Sequence, residues 1–359
     1  MVKLKVGVIF GGISSEREVS LATGRYVYSL LDPAKFEGIP LFMDGKGGIW
    51  QIPDRIVILN TTADVEAGLR RGAEKIQLED LKERIDLVFI ALLGKYGEDG
   101  CIQGILELLG IPYTGSGVLA SAVGMNKRAH KELFRSEGIL VARDLAVRKA
   151  DWENNRSKIK DQISKIIGFP CVVKPTREGS SIGVSTAKDK RELERSVKEA
   201  FKWDSEILAE EYIEGEEFMC VVLGNEDPSA MLPSEVEFVG EIHTYESKYM
   251  PGKAKYHTPI RGSKENIKHI QELAVKVYRL THCKGYGRVD GFLVGDKVYV
   301  SEPHTGTIMV PSSYVFQQAA RHKAPLKGGR RVPLSPRALV TKIIELALEV
   351  HEGKKGPLQ

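Results

Sequence analysis

Long apolar runs are missing from this chain: nothing in it approaches the roughly 18–20 consecutive apolar residues that a membrane-spanning helix needs, so no contact with a membrane is expected. Cysteine is scarce. Cys101, Cys171, Cys220 and Cys283 stand singly in apolar surroundings, which argues against a disulfide framework or a zinc cluster and predicts four buried thiols in a reducing compartment. An excess of either charge is missing as well: 52 basic residues face 48 acidic ones for a net +4, which gives no reason to expect nucleic acid. The one basic cluster, residues 321–331, has no interleaved aromatics and reads as a solvated loop. There is no internal repeat and no low-complexity segment. A secretory signal is not expected either, because the apolar run of residues 1–10 is short and Gly11-Gly12 ends it, so it reads as a first strand. These features describe a soluble, cytoplasmic protein.

What is present is enough chain for two or three domains, with 359 residues of which 42% are hydrophobic. In the first third, strand patterns at 3–10 and 85–92 alternate with helical patterns at 19–31 and 101–109, which predicts a parallel sheet covered on both faces. From about residue 116 the character shifts to charged amphipathic helices at 126–137 and 188–201, with strands at 141–148 and 171–175. The last portion carries strands at 207–213, 218–223 and 236–240, then an irregular polar stretch at 245–263 that reads as a mobile lid. A helix at 266–280 and a hairpin over 291–302 follow, and Ser335 and Pro336 open a final helix at 338–351 as cap and first residue. The predicted class is α/β (α+β), with domains at 1–115, 116–206 and 207–359.

Four segments carry chemistry. The apolar strand 171–175 delivers Lys174, and Pro-Thr-Arg-Glu-Gly-Ser-Ser-Ile-Gly183 follows at once. Glycines that expose backbone N–H groups, the Ser180 and Ser181 hydroxyls and a fixed positive charge are the parts of a phosphate cradle. The lysine precedes the glycines, so this is not an ordinary P-loop, and taken alone the segment reads equally as a surface turn. In the hairpin, a three-residue loop at 295–297 would set Asp290 directly opposite Glu302. Two carboxylates facing each other repel unless a cation lies between them, and Mg²⁺ suits such a pair; two solvent-facing acids are the plainer reading. Ile207-Leu-Ala-Glu-Glu-Tyr-Ile-Glu-Gly-Glu-Glu-Phe218 ends an apolar strand in carboxylates, and Glu210 and Glu217 fit the amino group and hydroxyls of a nucleoside, as would any acidic loop. Leu93-Gly-Lys-Tyr-Gly-Glu-Asp-Gly100 is a glycine-rich turn at a strand end, where an α/β sheet meets its ligand; Glu98 and Asp99 serve equally well as caps for the next helix.

Taken in order, these segments resemble the D-alanine–D-alanine ligases of the ATP-grasp superfamily. The resemblance runs from about residue 4 to about residue 320, through Gly11-Gly-Ile-Ser-Ser-Glu-Arg-Glu-Val-Ser-Leu, Gly97-Glu-Asp-Gly, Ile111-Pro-Tyr-Thr-Gly-Ser, Met125-Asn-Lys, the Lys174 segment, Glu210 with Glu217, Ser247-Lys-Tyr, Arg288-Val-Asp and Glu302. It implies a three-domain ATP-grasp fold with an N-terminal Rossmann-like sheet, ATP held between the central and C-terminal domains, and an acyl-phosphate mechanism serving peptidoglycan synthesis. By position, Lys127 and Lys174 would contact ATP phosphates, Ser180 and Ser181 would close on them, and Glu210 and Glu217 would hold the adenosine. Asp290, Glu302 and the residue at 304 would bind Mg²⁺ or Mn²⁺, two ions in all, while Arg288 would stabilise the tetrahedral intermediate. Glu16 would meet the first amino acid's ammonium group, Lys248 and Tyr249 would belong to the lid, with Tyr249 linked to Ser180 and Glu16, and Ser313 would meet the second substrate's carboxylate. Small molecules, ATP and D-alanine, are the implied partners, with no nucleic acid and no membrane, and a homodimer is the assembly left open.

Three positions depart from the family. Leu93 stands where it has histidine, His304 where it has a metal-ligating asparagine, and Ile308 where it has a glycine. Imidazole nitrogen suits Mn²⁺ or another transition metal better than Mg²⁺. The departures leave two other functions in view: an ATP-grasp ligase for other carboxylate and amine substrates, or an ATP-binding protein without catalysis.

Overall fold

The computed structural model describes residues 2–238, 254–325 and 331–354. The first unit contains β1 (Leu4–Gly11), α1 (Arg17–Leu30), β2 (Phe36–Met43), β3 (Ile49–Gln51) and the short helices α2 (Asp54–Val57) and α3 (Thr62–Gly68). It continues with β4 (Glu74–Ile76), α4 (Leu81–Arg84), β5 (Leu87–Ile90) and α5 (Cys101–Leu109). Along β1 the side chains alternate between two cores: Val6, Val8 and Phe10 enter one, and Ile9 the other, beside Ile39 and Leu41 of β2. Such double burial is why the strand is apolar throughout. The sheet order is β4-β3-β2-β1-β5, and only the β2–β1 and β1–β5 pairings are parallel. The expected parallel sheet is thus confined to the β2-β1-β5 end. Residues 44–48 form a tight return, closed by Asp44 N donating to Gly48 O (2.9 Å), and a connection that short can only produce an antiparallel neighbour.

Helices α6 (Val118–Met125) and α7 (Lys127–Ser136) lead into a second, antiparallel sheet of order β6-β9-β7-β8. Its members are β6 (Asp144–Arg148), β7 (Cys171–Pro175), β8 (Ser185–Ala187) and β9 (Glu206–Glu211), covered by α8 (Lys149–Ile166) and α9 (Lys190–Ala200). β9 pairs with β6 and β7, so this sheet takes in the strand expected to begin the C-terminal portion.

The third sheet, β13-β12-β10-β14-β15 with β11 on β10, uses β10 (Glu216–Leu223), β11 (Ser229–Ala230), β12 (Ser234–Phe238) and β13 (Ala254–His257). After α10 (Lys264–Leu280) it is completed by β14 (Tyr286–Val294) and β15 (Lys297–His304). β13 lies inside the stretch expected to be irregular; it is a strand because β12 offers it a partner edge. The chain closes with α11 (Tyr314–Ala319), the hairpin β16 (Lys323–Pro325) and β17 (Arg331–Pro333), and α12 (Pro336–Lys354). That hairpin corrects the reading of 321–331 as a plain loop. The four thiols are also corrected: Cys171, Cys220 and Cys283 are buried, but Cys101 is exposed at the start of α5.

One core joins distant parts of the chain. Leu339, Val340, Ile343 and Ile344 of α12 are buried in the same cluster as Val6 and Val8 of β1 and Met219 and Val221 of β10. The loop leaving β1 and one face of the third sheet are thereby held against one cavity.

Candidate active site

Glu16 sits at the start of α1, where the chain leaves β1 through Gly11 and Gly12, both with positive φ. Ser14 fixes this corner by donating to Leu93 O (2.7 Å) and accepting from Glu16 N (3.2 Å). Glu16 is 7% exposed and lies between two glycines: a Cβ on Gly94 would come within 2.1 Å of its Oε2, and one on Gly179 within 2.8 Å. The Ser180 hydroxyl donates to Glu16 Oε1, and Ser180 and Ser181 both have positive φ, so the glycine-serine loop folds down onto the carboxylate. Burial, reinforced by the nearby Glu98 carboxylate, pushes the Glu16 carboxyl up to about 7.

Glu98 ties the turn after β5 to the loop after β15, accepting from Gly94 N (2.7 Å) and from Gly306 N (3.1 Å). The capping alternative applies to Asp99 alone, which accepts from Cys101 N at 3.1 Å. Leu93 is buried in the cavity wall where an imidazole was expected, and Ile308 lines the same cavity.

Asp290 and Glu302 are cross-strand partners, as expected, by a different route. The loop has two residues, since Val294 pairs with Lys297, and a β-bulge between Asp290 and Gly291 shifts the register by one. His304 Nε2 lies 3.3 Å from Asp290 Oδ2 and 3.5 Å from Glu302 Oε1, buried and without a well-formed hydrogen bond. One ligand atom from each of the three residues falls within 4.8 Å of the others. Two carboxylates and an orphaned imidazole nitrogen fit a divalent cation, and the nitrogen tilts the set toward a transition metal. Burial opposes charge on Glu302, but Lys127 (3.4 Å) and His304 outweigh it and hold the carboxyl well below the usual range.

Lys174 and Glu210 form a second, buried cluster. Lys174 Nζ meets Glu210 Oε2 at 2.7 Å, and Lys131 Nζ meets Glu210 Oε1 at 2.6 Å. Burial works against a Glu210 carboxylate, yet the two lysines overcome it and hold the carboxyl down at about 2. No role was expected of Lys131; the available signal was a lysine four residues after Lys127, on the face that α7 buries.

The structure thus brings Glu16, Lys127, Ser180, Ser181, Glu217, Arg288, Asp290, Glu302 and His304 round one cavity. Ser313 does not line it: its hydroxyl donates to Ile308 O (2.7 Å) while it caps α11. Lys248 and Tyr249 lie outside the described residues. Tyr256, Thr307 and Tyr314 also line the cavity and were missed from sequence: Tyr256 and Tyr314 stand in segments without a metal or phosphate signature, and Thr307, between His304 and Ile308, has a hydroxyl that matches no ligand pattern of its own.

Known proteins resemble this chain over nearly its whole length. Residues 5–116 match the family model "D-ala D-ala ligase N-terminus" and residues 133–323 the model "D-ala D-ala ligase C-terminus". A D-alanine–D-alanine ligase from Geobacillus thermodenitrificans is 36% identical, covering 99% of this chain and 98% of its own. Among solved structures, the VanG D-Ala:D-Ser ligase from Enterococcus faecalis superimposes with a TM-score of 0.82 at 29% identity, over 96% of this chain and all of that one. The Bacillus anthracis D-alanine–D-alanine ligase complexed with ATP does so with 0.71 at 29% identity, over 98% of this chain and 99% of its own. The chain belongs to the D-alanine–D-alanine ligase family of ATP-grasp enzymes.

Proposed function

We propose that this protein joins two D-alanines to D-alanyl-D-alanine, converting ATP to ADP and phosphate through an acyl phosphate. The observation that carries the reading is the meeting, in one cavity, of a buried carboxylate for an ammonium group, an arginine and a metal-ligand triad. The Glu16 carboxylate receives the first substrate's ammonium group, oriented by the Ser180 hydroxyl. Lys127 and Lys174 offset the charge of the ATP phosphates as the γ-phosphoryl group moves to the substrate carboxylate oxygen. Asp290, Glu302 and His304 are the residues that would hold Mg²⁺ or Mn²⁺, which when bound neutralises phosphate charge. The second substrate's amine then attacks the acyl carbon; the C–N bond forms, the C–O bond to phosphate breaks, and the amine's proton is lost. Arg288 faces the negative charge that builds up in that step. Ser313 shapes the second subsite through Ile308, and Lys248 and Tyr249 close the site against water. Glu217 takes the nucleoside hydroxyls, and Glu210 acts as the counter-ion that holds Lys174 and Lys131.

No helix among the described residues is long and apolar enough to cross a membrane; from the proposed use of ATP we infer that the enzyme works in the cytoplasm. The likeness to a D-Ala:D-Ser ligase, with Ile308 in the second subsite, makes D-serine the competing acceptor. The deciding experiment supplies ATP with D-alanine alone, then with D-alanine and D-serine, and identifies products by mass. D-alanyl-D-alanine as the main product supports the proposal. Phosphate release only with another amine replaces the acceptor, and no release with any amino acid leaves an ATP-binding protein without ligase activity.

A further inference from the structure

Arg288 is held on two sides. Its Nε and Nη2 donate to Asp290 Oδ1 and Oδ2 at 2.6 and 2.7 Å, and its Nη1 donates to the Tyr314 hydroxyl at 2.6 Å. The Tyr314 hydroxyl is 2.8 Å from the Thr307 hydroxyl, and the guanidinium carbon lies 5.7 Å from the centre of the Tyr314 ring. Tyr314 and Thr307 are 4% and 3% exposed. Both come from the segment in which Ile308 replaces a glycine, and Tyr314 opens α11 directly after its Ser313 cap, so its backbone is fixed.

We propose that Tyr314, braced by Thr307, is the positioning residue that keeps Arg288 aimed at the acyl carbon during ligation, an inference that rests on the ligase reading above. Asp290 cannot do this alone. A carboxylate that also ligates a divalent cation gives up part of its charge to it, and its hold on the guanidinium weakens in the loaded state. The Tyr314 hydroxyl and ring are neutral, and the hydroxyl bonds to Arg288 and Thr307 rather than to a metal ligand, so their hold persists. They also leave the arginine's positive charge undiminished for the oxygen that becomes negative in the tetrahedral intermediate. Since Tyr314 Oη accepts from an arginine that can only donate, its own proton is directed to Thr307 Oγ1, which sets the orientation of the phenol. Tyr314 also packs against Tyr256 of β13, 5.4 Å between ring centres, so the aromatic wall behind Arg288 is continuous with the strand that follows the undescribed segment.

The test compares Tyr314→Phe, Thr307→Val and Thr307→Ser with Arg288→Lys as reference, measuring kcat, KM for ATP and thermal midpoint. Losing a hydrogen bond to a charged group should lower kcat of Tyr314→Phe by roughly 10- to 100-fold. Thr307→Val should lose about 2- to 10-fold, and Thr307→Ser should recover most of it. KM for ATP and the thermal midpoint should stay near wild type. The double variant Tyr314→Phe with Thr307→Val should be no slower than Tyr314→Phe alone, because both remove one relay. The proposal is overturned, with the ligase reading intact, if Arg288→Lys is crippled while Tyr314→Phe keeps wild-type kcat. It is overturned equally if kcat falls only in step with stability and ATP binding. Full activity of Arg288→Lys overturns the role of Arg288 itself. If Tyr314→Phe does not fold, the contrast between Thr307→Val and Thr307→Ser decides alone: recovery by serine supports the brace and equal activities overturn it.

Discussion

At the scale of the residue, Glu16 shows function and stability pulling in opposite directions. Burial raises its carboxyl from the ordinary 4.5 to about 7. A raised folded-state pKa means that its stabilising contribution is complete below the unfolded value and is lost as pH rises toward 7, where the buried group must ionise. Glu16→Gln should therefore make the ligand-free protein more stable at pH 8, by on the order of 2 kcal/mol, measured by denaturant unfolding at pH 5 and pH 8. The same ionisation is needed to accept an ammonium group. In the wild type kcat/KM for D-alanine should climb about tenfold per unit below pH 7 and level off above it, and this limb should vanish in Glu16→Gln. A profile flat from pH 5 to 8 would remove Glu16 from substrate binding. His304 carries the second prediction: His304→Asn replaces the imidazole by an amide oxygen, so direct titration of the nucleotide-loaded protein should show tighter Mg²⁺ binding and a smaller preference for Mn²⁺. An unchanged preference would mean that His304 is no ligand.

At the scale of the element, the site depends on turns meeting across sheets. Gly94, with φ +68°, follows β5 and lies where a Cβ fits only if the Glu16 carboxylate moves away, because it would overlap Glu16 Oε2. Gly94→Ala should leave the fold intact, since left-handed backbone costs alanine only about 1–2 kcal/mol. It should displace Glu16 and lower kcat/KM for D-alanine on the order of 10²-fold, with KM for ATP unchanged. Equal loss for both substrates would point to general disruption instead. The β14–β15 hairpin teaches a related lesson. The Asp290–Glu302 pairing was legible in the sequence, but the route was not: a two-residue loop and a bulge give the same register as a three-residue loop with none. Bulges have weak sequence signals because the extra residue is paid for by twist and packing.

At the scale of the whole molecule, α12 is the brace. Ile344 is fully buried in the core shared with β1 and β10. Ile344→Ala should destabilise by about 2–5 kcal/mol, read by chemical denaturation, and should lower activity once the first and third sheets separate. A cost within about 0.5 kcal/mol, as for an ordinary surface position, would show that α12 does not hold the sheets together.

The sequence by itself determined the long, strongly patterned elements, such as β7 and α5, and the ordered motifs that mark the family. Those signals are local: periodicity, caps and short strings of chemically constrained residues. Cys101 could not be read as exposed, because an apolar neighbourhood in the chain says nothing about which face of α5 the residue occupies. The antiparallel edge of the first sheet, the pairing of β9 with β6 and β7, and β13 depended on which partner edges were available. Only the tertiary structure brought Lys131 to Glu210 and set Tyr314 behind Arg288, each across many intervening residues. Charges and hydroxyls acquire their roles from neighbours that chain order does not reveal, since desolvation and hydrogen bonding act through space.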